Sequence, residues 1–109
     1  MTEEQEFRSQ AEEAMDRLFR ALSDAADDYP LEPEMDEGAI EIEFETPPAK
    51  FVISPNAPAR QIWVSANSRS FKLDWDPVEG AFVHAPSELT LLELVSEQIS
   101  RRLGEDVLL

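Results

Sequence analysis

Cysteine is absent from the 109 residues, histidine occurs once and glycine three times. Without cysteine there is no disulfide, no thiolate nucleophile, no persulfide chemistry and no thiolate-bound zinc or iron–sulfur cluster. One histidine excludes every two-His metal triad and leaves His84 alone for imidazole chemistry. Three glycines cannot build a glycine-rich phosphate loop. Positive charge is also scarce: nine Lys+Arg face 24 Asp+Glu, a formal net charge of −15. That balance argues against binding to nucleic acid or to anionic membrane surfaces, both of which need basic patches. No apolar run approaches the roughly 18 residues of a membrane-spanning helix. The opening MTEEQEF has neither the basic nor the apolar region of a secretory leader. The expectation is a soluble cytoplasmic protein, and 42% apolar residues suffice for one modest core within a single domain, residues 1–109.

What is present is unevenly spread. Residues 1–45 hold 16 acids and three arginines, a net of −13, whereas residues 46–109 hold eight acids and six bases, a net of −2. The N-terminal segment reads as a long helix opened by a Thr2–Gln5 capping box, with Glu3 and Glu4 in the first turn. Phe7, Ala11, Ala14, Met15, Leu18, Leu22 and Ala25 form one apolar stripe. Glu13–Arg17 and Asp16–Arg20 are supportive i,i+4 pairs on the polar face, while Asp24–Asp28 is a repulsive one. Tyr29–Pro30 is the expected end, because a residue before proline is pushed out of the helical region.

After Gly38 the period changes from helical to alternating. Ile40, Ile42 and Phe44 alternate with Glu41, Glu43 and Glu45, a half-buried strand. A Thr46–Pro47–Pro48 turn leads to a strand over 50–54, a Pro-bounded loop to one over 60–66, and further turns to strands over 71–75 and 81–84. Short connections imply an antiparallel meander. Thr90 and Glu93 form a second capping box before a helix carrying Leu91, Leu92, Val95, Ile99 and Leu103, and Gly104 stops it. The expected fold is α+β: a two-layer α/β sandwich with the N- and C-terminal helices on one face of an antiparallel sheet of five to six strands. The other sheet face is left bare. In the 60–66 strand, Ile62 and Val64 suit the core, which places Gln61 and Trp63 on that bare face as a protein-contact anchor; the reversed parity would bury Trp63.

Phe51–Val52–Ile53, Pro58-x-Arg60–Gln61–Ile62–Trp63–Val64–Ser65, Leu73–Asp74–Trp75 and Thr90–Leu91 with Glu93–Leu94 together resemble the frataxin family. The Pro-x-(Lys/Arg)-Gln-(Ile/Val)-Trp run is the most specific of these, and the match extends over nearly the whole chain, in the manner of the bacterial branch. Ser54, Phe82 and Lys72 stand where members often have Asn, Trp and Arg, and Phe19 and Arg20 stand where bacterial members often have acids. The resemblance implies a non-enzymatic role in iron–sulfur cluster assembly, with iron bound weakly by surface carboxylates and a cysteine desulfurase–scaffold assembly as partner. It implies a metal ridge of Asp16, Asp24, Asp27, Asp28, Glu32, Glu34, Asp36, Glu41 and Glu43, with Glu32, Glu34 and Asp36 on a connector. It also implies a partner surface of Asn56, Arg60, Gln61, Trp63 and Lys72, on a monomer whose oligomerisation would depend on iron.

The residues themselves are compatible with that reading. A cysteine-free acidic surface offers only oxygen ligands, which suit hard Fe³⁺ and borderline Fe²⁺. The plainer alternative is an acidic protein-binding adaptor or inhibitor without a physiological metal, its carboxylates serving solubility. His84 has no Ser or Asp motif beside it, residues 24–37 lack the ligand spacing of a calcium loop, and no carboxylate pair is marked as a glycosidase couple.

Overall fold

The computed structural model describes residues 2–45 and 47–109. Met1, in the opening segment expected to lack a secretory leader, and Thr46, in the expected proline-rich turn, lie outside the described residues. Helix α1 spans Glu3–Ala25, and its capping box is made as expected: the Thr2 hydroxyl accepts from the Gln5 amide while the Gln5 side chain accepts from the Thr2 amide. The helix stops at Ala25, short of the expected Tyr29–Pro30 boundary. Three carboxylates, Asp24, Asp27 and Asp28, crowd the negative end of the helix dipole and no base stands in the last turn to offset them. The chain instead makes a tight turn in which the Asp28 and Tyr29 amides both donate to the Ala25 carbonyl. Asp24 and Asp28 are therefore not a helical i,i+4 pair. Glu13–Arg17 forms at 2.7 Å and Glu4–Arg8 at 2.9 Å. Asp16–Arg20 is not among the ion pairs of the described residues.

Seven antiparallel strands follow in chain order: β1 Glu32–Asp36, β2 Ala39–Phe44, β3 Ala49–Asn56, β4 Gln61–Ala66, β5 Arg69–Asp76, β6 Ala81–His84 and β7 Leu89–Thr90. The sheet is wider than the five to six strands expected. One addition is β1, whose acids the sequence reading places on a connector. An edge strand is paired along one side only, so it tolerates Pro33 and a run of charges that a central strand would not. The other is β7, two residues that pair with β6 immediately before helix α2, Leu91–Leu103. Thr90 ends that strand and caps the helix, its hydroxyl accepting from the Glu93 amide.

Both helices cover the same sheet face. Leu18 and Leu22 of α1, Ile40 and Ile42 of β2, Ile53 of β3, Ile62 of β4, Leu73 of β5 and Ile99 of α2 are fully buried in one cluster. Beyond Gly104, which closes α2 in the left-handed region at φ 73°, the chain folds back along the helix. Val107 and Leu109 donate their amides to the Ser100 and Ser96 hydroxyls at 2.9 and 3.1 Å, and the Val107 side chain joins the core. Gln98 of α2 is buried as well; its side-chain oxygen accepts from Asn67 in the β4–β5 turn.

Candidate interaction face and acidic edge

Alternation along β4 buries Ile62, Val64 and Ala66 and turns Trp63 and Ser65 outward, so the expected parity is the one the structure adopts. Trp63 is 38% exposed, a large aromatic open on the face that no helix covers. The register sets its neighbours: Ser54, Trp63 and Lys72 form one cross-strand row and Asn56, Gln61 and Asp74 the next. The Lys72 ammonium lies 5.1 Å from the centre of the Trp63 ring. The Trp63 indole N–H donates to the Gln61 side-chain oxygen at 2.9 Å, and the Gln61 amide nitrogen donates to Asp74 at 3.1 Å. Sequence reasoning missed Asp74, because its place beside Gln61 is set only when β4 and β5 pair.

The five expected partner residues divide. Gln61, Trp63 and Lys72 share the open face. Asn56 ends β3, where its side chain accepts from the Ala59 amide and shapes the β3–β4 turn. Arg60 sits in that turn at a positive φ of 54°, with its guanidinium on Glu3 of α1 at 2.8 Å. Those two side chains hold the fold's periphery together and lie at the margin of the face.

The expected acidic ridge also divides. Among the described residues, Glu34, Glu41 and Glu43 each bring a carboxylate oxygen within 4.8 Å of the others, as a shared metal ion would require. Register explains it: Glu34 pairs with Glu41 and Glu32 with Glu43, which puts all four on the helix-free side of the β1–β2 edge. Asp36, opposite Ala39, follows by alternation at the end of the same strand. Lys50 of β3 reaches into this group, 3.5 Å from Glu41 and 3.8 Å from Glu43. Asp16 and Asp24 stay on α1 and Asp27 and Asp28 in the turn after it, so none of the four joins the three-carboxylate group. The acidic edge and Trp63 thus belong to one sheet face, two strands apart. His84 is occupied differently: its Nδ1 lies 2.7 Å from the Ser87 hydroxyl and its ring meets Phe71 edge-on. No helix of the described residues is long and apolar enough to cross a membrane.

The description frataxin-like domain fits residues 1–105. An iron-sulfur cluster assembly protein CyaY from Pseudomonas aeruginosa is 33% identical over 95 residues, covering 85% of this chain and 87% of its own. The CyaY protein of a Janthinobacterium species is 30% identical over 108 residues, covering 97% and 95%. Among solved structures, frataxin from Psychromonas ingrahamii superposes with a TM-score of 0.76 over 98% of this chain and 97% of its own, at 19% identity, a likeness of fold.

Proposed function

The chain belongs to the frataxin-like family, and from that premise we propose that it serves iron–sulfur cluster assembly as a non-catalytic adaptor, carrying iron weakly and modulating a cysteine desulfurase–scaffold complex in the cytoplasm. The observation that carries this reading is the open sheet face, where an ordered, exposed Trp63 stands on the same side as the carboxylates of Glu34, Glu41 and Glu43. A large aromatic in the middle of an uncovered sheet supplies the apolar anchor around which an interface forms. The acidic edge beside it supplies charge that steers the chain onto a basic partner and raises the on-rate more than the final affinity.

Iron in this reading is cargo. Three carboxylates on neighbouring strands offer hard oxygen ligands in an open, hydrated setting, which suits weak and rapidly exchanging Fe²⁺ or Fe³⁺. Asp16, Asp24, Asp27 and Asp28 add a second, looser acidic surface that would hold cations by charge alone. One observation favours the metal-free alternative, an acidic protein-binding adaptor or inhibitor: Lys50 already neutralises part of the Glu41–Glu43 charge. The test measures desulfurase and cluster-assembly rates at controlled Fe²⁺, with and without this protein and with Trp63→Arg. Rates that change with the native chain and not with the variant support the reading. Rates indifferent to the native chain overturn it, and partner capture that is identical with and without metal selects the metal-free adaptor.

A further inference from the structure

The hydrogen bonds around Trp63 run in one direction. Asp74 is a carboxylate and can only accept, so it draws the amide nitrogen of Gln61 toward itself at 3.1 Å. The Gln61 oxygen is thereby turned to the other side, where it accepts the Trp63 indole N–H at 2.9 Å. An amide flipped the other way would set its own N–H₂ against the indole N–H, donor against donor. Asp74 therefore selects the orientation of Gln61, and Gln61 that of Trp63. The Lys72 ammonium over the ring, 5.1 Å from its centre, adds a further restraint.

We propose that Asp74 is a positioning residue for partner binding, holding the Trp63 indole through Gln61 in the pose that the partner receives. The proposal rests on the sheet-face reading above and adds to it the device that orders the anchor. It also describes the partner's chemistry. The indole N–H is satisfied within this chain and Lys72 lies over the ring. The surface left to the partner is apolar ring, so the pocket that receives it is apolar and needs no hydrogen-bond acceptor for the indole. An anchor fixed in advance binds with less loss of rotamer freedom than one that must be ordered on contact.

The test uses Asp74→Ala and Gln61→Leu in the full chain, with the two indole N–H resonances assigned by a Trp75→Phe variant. In both variants the Trp63 indole N–H is expected to exchange with solvent faster and its heteronuclear NOE to fall. Affinity for the desulfurase–scaffold pair is expected to drop about three- to tenfold, the span of one hydrogen bond. In a Trp63→Ala background, Asp74→Ala should cost nothing more, since its effect passes through the indole. Unchanged indole signals in Asp74→Ala and Gln61→Leu overturn the relay. An undiminished loss in the Trp63→Ala background also overturns it, by making Asp74 a contact in its own right. A Trp63→Ala variant that binds normally is a separate failure, of the sheet-face reading itself.

Discussion

Trp63 and Trp75 lie on opposite faces of one sheet, and that difference decides what replacing an aromatic costs. Trp75 meets the Phe82 ring edge-on at 5.2 Å on the helix side, whereas Trp63 faces outward. Trp63→Arg is therefore expected to lower stability by no more than about 1 kcal/mol, the range of changes near a surface. Phe82→Ala, which empties a site only 1% exposed, is expected to cost about 3–5 kcal/mol. Urea denaturation of both variants checks the contrast, and a Trp63→Arg protein that fails to fold would contradict the outward placement. This much was legible in five residues: Ile62 and Val64 claim the core, so Gln61 and Trp63 must turn away. The role of Asp74 was not legible, because it depends on the pairing of Gln61 with Asp74 across a turn whose Asn67 and Ser68 both adopt positive φ. Nor does spacing reveal that Arg60 is drawn to Glu3, a contact between residues far apart in the chain.

At the scale of elements, strand β1 is the largest departure from the sequence reading. Glu32, Pro33, Glu34, Met35 and Asp36 do alternate, but their outward residues are acids and their inward ones a proline and a methionine that is itself exposed. Such a pattern carries little apolar signal, and pairing with β2 is what makes it a strand. The same pairing brings Glu34, expected on a connector, onto the sheet beside Glu41 and Glu43, which were expected on the strand, and leaves the helix acids apart from them. Glutamates directly opposite each other repel, so Glu34→Gln is expected to stabilise the protein by about 0.2–1 kcal/mol in thermal denaturation without metal. With Mn²⁺ or Co²⁺ the order should narrow or reverse, since the native trio gains more from a divalent ion. Amide shifts in a Co²⁺ titration should centre on Glu34, Glu41 and Glu43 and be weak. A single tight site around His84 would contradict that picture. The second capping box, in contrast, was plain from Thr90 and Glu93 alone, and Thr90→Ala is expected to cost about 1 kcal/mol, read from the same melts.

For the whole molecule, repulsion outweighs the pairs that could offset it. The ion pairs among the described residues all join side chains at least 38% exposed, and such pairs contribute little. Against them stands the −13 gathered on residues 1–45. The melting temperature is therefore expected to rise as NaCl screens the like charges, with a Debye length of about 8 Å at 0.15 M. A melting temperature that falls steadily with salt would give the larger weight to Glu13–Arg17 and its fellows. The overall architecture was readable because each strand pairs with its neighbour in the chain and proline, glycine or asparagine marks most of the turns. That consecutive order also sets a timetable for synthesis. Strands β1 to β6 can zip together hairpin by hairpin as they leave the ribosome, and α1 is already made to cover part of their apolar side. Leu91, Leu94, Val95 and Ile99 of α2 and Val107 beyond it arrive only afterwards. Until they do, the part of the sheet that α2 covers around β6 and β7 stays open, and during that interval the chain is exposed to aggregation and to the chaperones that intercept it.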